Sequence, residues 1–342
     1  MKKRYALGND IAKETFDFCL LNDKKVCLWR GQFANNQAGF KELLEGLKAR
    51  GFKLKQIHFA LEATGVYGRA LVAALHSAGL AVSVLNPAQV KFFGASHNWR
   101  TKNDRADAEL IALYCLERQP VATRPLRLVE EQLKMLVHER EARANEQTRE
   151  RNRCQIDQAQ PCRLPPTLLR QRRQRLEQLK TQIDQLDSAI KALLLSDTHL
   201  AQQAKLLCTI PGIALCTAAK VLAQLAGKEF CSARQLAAYA GLTPSERRSG
   251  KTLYAKTRLS KIGNRFLRKA LYMPAATARR WCQPIAKWAD SLQDRHLQPL
   301  AIRGAVMRKL LHIIFGVLKN QQPFNPNLAA GTTKLLTQLI AP

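Results

Sequence analysis

The chain has 342 residues and a mass of 38.4 kDa, a length that predicts two or three domains. Its 55 Lys and Arg outnumber its 26 Asp and Glu, which leaves a formal charge of +29 and a pI of about 10.2. Hydrophobic residues make up 46% of the chain, so a disordered basic tail is excluded. A folded protein with this excess of positive charge repels itself, and nucleic acid is the usual polyanion that relieves the repulsion.

The positive charge is concentrated late in the chain. Residues 247–319 hold 17 basic residues against two acidic ones, Asp290 and Asp294. This imbalance predicts a nucleic-acid-binding surface, with a solvated basic face as the alternative. The first residues, MKKRYALGND, have too short an apolar run for a signal peptide, and polar and turn residues interrupt the apolar stretch from Ala70 to Val90. We therefore expect a cytoplasmic protein without membrane contact, whose nine cysteines, free of any CxxC pair, are reduced thiols.

The first segment, to about Gln119, alternates between strand and helix patterns. Period-two apolar patterns predict three consecutive strands, and further strands and helices follow in alternation. The predicted strands are Tyr5 to Gly8, Thr15 to Leu20, Val26 to Phe33, Ile57 to Leu61 and Ala81 to Leu85. The predicted helices are centred on Phe40 to Leu47, Tyr67 to Leu75 and Asp104 to Glu117. This order predicts an α/β sheet that opens with a β-meander.

The middle segment has a heptad pattern. Apolar residues recur at alternating steps of three and four, as in a coiled coil: Leu176, Leu179, Ile183, Leu186, Ile190 and Leu193. Prolines just upstream, and a weaker stripe that begins at Leu133, predict an antiparallel helical hairpin. Two ordinary packed core helices remain the alternative.

From about Leu200 the chain is predicted to be all-helical and basic. A Pro-Gly turn at Pro211 and Gly212 between two predicted helices resembles a helix-hairpin-helix, which binds phosphate through turn amides. Ala214 stands where that motif usually has a second Gly, so an ordinary αα-corner is the alternative.

Four acidic residues stand where predicted strands end or a predicted helix begins: Asp10, Glu62, Asp104 and Asp107. The two aspartates on the helix are three residues apart and share one face. Carboxylates that meet at one sheet edge repel one another unless a cation neutralises them, and Mg²⁺ prefers such oxygen ligands. Two such ions can promote displacement at a phosphodiester.

Taken singly, each acid has a structural explanation. Asp104 is a candidate helix N-cap, Asp107 a first-turn acid favoured by the helix dipole, and the other two could be solvated strand ends. Taken together with the meander, their order fits a ribonuclease-H-like nuclease core.

The chain resembles the DEDD transposases of insertion sequences, a family that includes Piv-type DNA invertases. The strings that carry the resemblance, in this order, are GNDIAKETFD, LEATGVYG, LNPAQVKFF, RTKNDRADA, IPGI, AGLTP, RRSGKT, LSKIGN and LRKALYMPA. They cover nearly the whole chain. Asn9 departs from the family pattern, which has an apolar residue before the first Asp.

The resemblance implies a recombinase guided by a noncoding bridge RNA that pairs with donor and target DNA. It implies that the four acids belong to a RuvC-like domain, bind Mg²⁺ and are catalytic, and that Ser249 is the nucleophile of a phosphoserine intermediate. It also implies a homo-oligomer, dimer or tetramer, in which the metal site of one subunit faces the serine of another.

The residues around Ser249 support this role in part. Arg247, Arg248 and Lys251 flank the serine and could hold phosphate oxygens, but a loop serine beside Gly250 is the alternative. The candidate nucleic-acid-binding residues are Arg247, Arg248, Lys251, Arg258, Lys261, Arg265, Arg268 and Lys269. Aromatic residues between these basic residues could stack on nucleic acid or pack in the core: Tyr254, Phe266, Tyr272 and Trp281.

The sequence therefore predicts an α/β plus α protein in three domains. These are a ribonuclease-H or RuvC-like domain at 1–120, a coiled-coil hairpin at 121–197 and an all-helical transposase domain at 198–342. Two other functions remain open at this point. One is a metal-dependent nuclease or junction resolvase without a covalent intermediate, and the other is a non-catalytic nucleic-acid-binding protein.

Overall fold

Two units, Met1–Pro125 and Leu126–Pro342, make up the structure, which is a computed structural model. It describes residues 4–63, 65, 67–99, 103–159, 164–249 and 253–327, with the backbone alone at 246–249 and 253–257. The division of function among three domains stays a prediction.

The first unit has a five-stranded sheet in the order β3-β2-β1-β4-β5. Its strands are β1 (Tyr5–Ile11), β2 (Thr15–Asn22), β3 (Cys27–Ala34), β4 (Ile57–Glu62) and β5 (Ala81–Leu85). The first three form an antiparallel meander, and β4 and β5 extend the sheet in parallel with β1. The predicted mixed α/β sheet is therefore confirmed.

Helices cover both faces of this sheet. They are α1 (Gln37–Ala49), α2 (Arg69–Ser77), α3 (Pro87–Ser96) and α4 (Asp104–Arg118). The sequence did not predict α3, although its start has a clear signal: Asn86 accepts a hydrogen bond from the amide of Ala88 at 3.0 Å, and Pro87 occupies the first turn. Its apolar residues follow no strong helical period, which is why the periodicity missed it.

Successive side chains of β1 point to opposite faces of the sheet and so pack in two separate hydrophobic cores. Leu7 packs with residues of α1 and α2 on one face, whereas Ala6 packs with residues of α3 and α4 on the other. Gly8 also faces α4, and a Cβ at this position would overlap the backbone of Ala108 and Ala112. Because Gly8 has no side chain, α4 lies directly on β1.

Asn9 is fully buried in β1, with 0% of its surface exposed. Its Nδ2 donates to the carbonyl of Ala60 at 3.1 Å, but its Oδ1 has no hydrogen-bond partner in the described structure. The departure from the family pattern at this position therefore places a polar amide in an apolar core, as expected.

The second unit begins with two long helices, α5 (Leu128–Gln158) and α6 (Pro166–Ser196). Ion pairs join them in antiparallel order, from Arg140 with Asp187 at 3.0 Å to Arg172 with Glu150 at 2.7 Å. Leu179, Ile183 and Ile190 of the predicted seam are buried. The hairpin is present, and its supercoiling as a coiled coil stays a prediction.

The rest of this unit is mostly helical. Its helices are α7 (Thr198–Cys208), α8 (Leu215–Leu225), α9 (Ala233–Tyr239), α10 (Arg265–Trp281), α11 (Gln283–Asp294) and α12 (Pro299–Asn320). The expectation of an all-helical domain is wrong, because β6 (Pro244–Ser249) and β7 (Leu253–Leu259) form an antiparallel hairpin. Basic and polar residues dominate these strands, so the apolar alternation that identifies most strands is weak here.

The turn between α7 and α8 contains Pro211 and Gly212, as predicted. Gly212 has a φ of +88°, and a Cβ there would lie 2.6 Å from the carbonyl oxygen of Pro274. Packing against α10 thus accounts for this glycine without a ligand, and phosphate binding by the turn stays a prediction.

The eight cysteines in the described part of the chain are free, and Cys208 and Cys231 are exposed. Within the same residues, no helix combines the length and the hydropathy that are needed to cross a bilayer.

Candidate functional site

The structure brings the four predicted acids together at one end of the sheet. In the parallel pairing of β1 with β4, Asn9 lies opposite Leu61, so Asp10 and Glu62 follow at the same strand ends. Asp10 and Glu62 are half-buried. Parallel strands place their carboxyl ends at one edge, which is why residues far apart in sequence meet here.

The other two acids come from the first turn of α4. Asp104 is exposed and Asp107 half-buried. The N-cap is Asn103, whose side chain accepts a hydrogen bond from the amide of Ala106 at 2.8 Å, so the interpretation of Asp104 as the N-cap is wrong. Asp104 is consequently free of the capping role. We call Asp10, Glu62, Asp104 and Asp107 the acid cluster.

The pKa values of two of these carboxylates are raised in part by the charges of the others. Burial, followed by the charges of Asp107 and Asp104, raises the pKa of Asp10 to about 6. Burial also raises the pKa of Glu62, with further contributions from Asp10 and Asp107. Asp107 therefore opposes the ionisation of both Asp10 and Glu62.

Sequence reasoning missed a fifth acid beside this cluster. Asp17 of β2 pairs directly with Asp10 in the strand register and is buried. It also contributes to the raised pKa of Asp10, while the Nε2 of Gln32 donates to its Oδ2 at 2.8 Å. The sequence did contain a signal for this residue, because Asp17 is an acidic residue flanked by two phenylalanines within a predicted strand.

The acid cluster fits a divalent cation by its chemistry. Hard ions such as Mg²⁺ take carboxylate oxygens, and the mutual repulsion of these acids is the kind that a cation relieves. Among the residues that the structure describes, no three candidate ligands already converge closely enough to hold a metal ion.

The predicted nucleophile lies in the second unit. Ser249 is the last residue of β6 and pairs with Leu253 of β7. Arg247 and Arg248 precede it on the same strand, and the backbone alone is described for all three residues. Lys251 lies outside the described residues.

A polar network anchors the base of this hairpin. The Nδ2 of Asn264 donates to Gln224 Oε1 at 2.9 Å and to Tyr239 Oη at 2.8 Å, while its Oδ1 caps α10. Gln224 is buried and also contacts His138 of α5 at 3.0 Å. The amide of Ser260 donates to the carbonyl of Thr243 at 2.9 Å, which closes the hairpin next to this network.

The remaining candidate nucleic-acid-binding residues fall into two groups. Arg258, Lys261 and Arg265 are exposed. Arg268 instead donates to the carbonyl of Ala240 at 2.9 Å, and Lys269 forms an ion pair with Glu141. The second group therefore has protein partners that stabilise the helical unit.

The aromatic residues between these basic residues also divide. Trp281 is 70% exposed and Tyr272 is 37% exposed, with the guanidinium of Arg303 lying 4.7 Å from the Tyr272 ring. Phe266 instead stacks on His138, with ring centroids 4.6 Å apart. The side chain of Tyr254 lies outside the described residues.

Comparison with known proteins places this site in a family. Residues 7–161 match a family model described as a transposase, and residues 204–289 match the model of the transposase IS116/IS110/IS902 family. Pilin gene-inverting proteins of Moraxella bovis and Moraxella lacunata are 32% identical over 332 and 331 residues, which is 96% of this chain and 99% of each relative. The chain belongs to this transposase family. It is a DNA recombinase enzyme.

Part of this transposase is also similar to solved structures of Thermus thermophilus RuvC. One of them, in complex with a Holliday junction substrate, is 17% identical and has a TM-score of 0.27, covering 35% of this chain and 98% of that one. The other is 17% identical with a TM-score of 0.26, covering 34% and 95%. The ribonuclease-H or RuvC-like assignment of the first domain stays a prediction.

Proposed function

We propose that this transposase cuts and rejoins DNA through a phosphoserine intermediate at Ser249, with a divalent cation bound by the acid cluster. The observation that supports this most is the mutual electrostatic effect of Asp10, Glu62 and Asp107, which come from two strand ends and one helix. Acids that serve only as solvated strand ends or helix-dipole partners would not need to face one another.

Asp10, Glu62, Asp104 and Asp107 would hold the cation, which we take to be Mg²⁺. Bound there, Mg²⁺ would supply positive charge to phosphodiester oxygens as they become more negative. The negative charge of the acids repels DNA phosphates, so a phosphate can approach only where the bound cation neutralises that charge. The acids would in this way orient the DNA indirectly. Half-burial of Asp10 strengthens this selection, since screening by water is reduced.

In the proposed reaction, the hydroxyl oxygen of Ser249 forms a bond to phosphorus and the bond from phosphorus to one deoxyribose oxygen breaks. The serine proton leaves to solvent, and the departing deoxyribose oxygen gains a proton. The strand hydroxyl of the recombining DNA then reverses these steps and releases Ser249. Because one phosphate ester replaces another, rejoining requires no nucleotide hydrolysis. Arg247 and Arg248 would hold the phosphate oxygens.

The proposal includes a noncoding guide RNA that pairs with donor and target DNA, and a homo-oligomer, dimer or tetramer. The acid cluster and Ser249 belong to different compact units. An assembly in which the acids of one subunit meet the serine of another would satisfy the reaction. The net charge of +29 supports binding of more than one nucleic-acid strand.

The test of Ser249 is a covalent adduct assay. Ser249→Ala should abolish the protein-DNA adduct that denaturing electrophoresis of labelled substrate detects, because it removes the proposed nucleophilic oxygen. Ser245→Ala is the matched control, since it removes a hydroxyl from the same strand, and it should retain the adduct. RNA that copurifies with both variants should be sequenced and should include a segment complementary to the DNA flanking the gene.

A metal-dependent nuclease is the second candidate. It is favoured by the fact that the acid cluster is complete within the first unit and needs no serine for hydrolysis by water. Mg²⁺-dependent cleavage by Ser249→Ala without any adduct in the wild-type protein would establish this candidate and refute the phosphoserine mechanism.

A further inference from the structure

Three cationic side chains and a histidine lie together on α9 and α12, outside the residues of the β6-β7 hairpin. Arg308 and His312 are one turn apart on α12, with Lys309 beside them, and Arg234 comes from the first turn of α9. The two helices pack against each other. We call these four residues the cationic cluster.

The two arginines of the cationic cluster differ in their partners from the arginines of the long helices. Within the described residues, neither Arg234 nor Arg308 forms an ion pair, whereas Arg140 and Arg172 on the long helices each pair with carboxylates. Lys309 is only 6% exposed and lies 5.5 Å from the Trp288 ring centroid. Arg234, by contrast, is exposed, so the group runs from solvent into the helical core.

The charges in this group act on one another. Burial, and then the charge of Arg234, lower the pKa of Arg308. Burial and the charges of Arg308, Lys309 and Arg234 lower the pKa of His312 to about 4. Every charge that acts on His312 is positive, and its buried Nε2 has no hydrogen-bond partner among the described residues. Repulsion between the charged groups Arg234 and Arg308 disfavours the fold unless an anion offsets it.

We propose that the cationic cluster binds a phosphodiester group of the nucleic-acid backbone, at a contact separate from the reaction at Ser249. A guanidinium offers paired donors that match two phosphate oxygens, and Arg234 and Arg308 present two of them from neighbouring helices. A protein of charge +29 in a transposase family meets nucleic acid as its principal polyanion. The proposal rests on nucleic-acid binding by the recombinase and not on the covalent step.

The experiment compares nucleic-acid binding by the full-length double variant Arg234→Gln/Arg308→Gln with that of Lys287→Gln. Lys287 is exposed on α11 and provides the same kind of charge loss on the same unit. Dissociation constants for duplex DNA and for a structured RNA are measured between about 50 and 200 mM salt. Removing two phosphate contacts should weaken binding about tenfold and reduce the log-log salt slope by about two.

Further arms distinguish a phosphate contact from an acidic protein partner. Arg308→Lys alone should retain most of the wild-type salt slope, because it keeps the positive charge. A reduced salt slope of the double variant for DNA only, or for RNA only, would support the proposal and identify the nucleic acid that the cluster binds. Equal slopes for the double variant and Lys287→Gln would overturn it. Competition by polyglutamate as strong as that by DNA would also overturn it, in favour of the acidic protein. Adduct formation is measured separately, so failure of the Ser249 mechanism would not mimic either result.

Discussion

The acid cluster and the cationic cluster have opposite charge, but burial and neighbouring like charges shift pKa values in both. In the first, Asp10 is half-buried beside Asp107 and Asp104, and its pKa rises. In the second, His312 is beside Arg308 and Lys309, and its pKa falls. In each place burial, and after it the neighbouring charges, disfavours the charged form. Both places therefore bring ionisable side chains of like sign close together.

The two clusters differ in the kind of ligand that their side chains suit. The acids come from strand ends and one helix turn and present compact oxygen atoms, which suits a small divalent ion. The cations come from long side chains on two helices, of which Arg234 reaches solvent, and this suits an extended polyanion. A metal ion and a phosphate backbone are thus expected to relieve the two repulsions separately.

The largest expected effect comes from removing one charge of the acid cluster. Asp10→Asn should reduce strand cleavage by about a thousandfold or more, because a metal ligand is lost while the shape is kept. In EDTA the same variant should be more stable than the wild type by about 1 to 2 kcal/mol, after allowance for screening by solvent. Urea unfolding with and without Mg²⁺ measures this.

Glu42→Gln on the exposed face of α1 is the control for that comparison, since Glu42 is exposed and distant in sequence from the cluster. It should change neither stability nor the response to Mg²⁺. If Asp10→Asn gains as much stability from Mg²⁺ as the wild type does, the acid cluster is not the metal site.

A smaller effect is expected from the backbone contact that supports the acid cluster. Gly8→Ala should lower the free energy of unfolding by about 3 kcal/mol, because its Cβ overlaps the backbone of Ala108 and Ala112 and α4 must move. Gly316→Ala on α12 is the control: apart from the backbone of its own helix, no atom of the described residues lies within 4 Å of its added Cβ, and it should stabilise by about 0.5 to 1 kcal/mol. Equal unfolding midpoints for the two variants would contradict the close approach of α4.

The smallest effect tests the repulsion in the cationic cluster. Arg308→Gln should leave the nucleic-acid-free protein as stable as the wild type, or more stable by about 0.5 kcal/mol, because one of several like charges is removed. Urea unfolding at low salt checks this, and high salt should shrink the difference. A loss of more than about 1 kcal/mol would show that Arg308 stabilises the fold through contacts of its own.

The sequence predicted the parts of the first unit that follow from local patterns. Local apolar patterns were sufficient to predict the meander, the strands that end near Asp10 and Glu62, and the helix of Asp107, and topology then brings the acids together. It could not show that Asn103 caps that helix, since several polar residues precede it and only the folded backbone selects one.

The second unit was less predictable for a physical reason. The strands of the hairpin are rich in charged and polar residues, so β6 and β7 lack the alternation that marks a half-buried strand. Which cations face solvent and which pair internally depends on tertiary packing. Arg268 and Lys269 thus look like Arg265 in the sequence but contact the protein, whereas Arg234 and Arg308 carried no signal at all.

The exposed thiol of Cys231 has a practical consequence. It lies just before α9, three residues from Arg234, and its backbone amide is held by the side chain of Gln235 at 2.7 Å. A fluorophore coupled to this native sulfur would sit beside the exposed end of the cationic cluster on an ordered stretch of backbone. Quenching of its fluorescence on addition of an oligonucleotide would then follow occupancy of the cationic cluster in real time. Cys208, the other exposed thiol of the described residues, would be replaced by Ser beforehand.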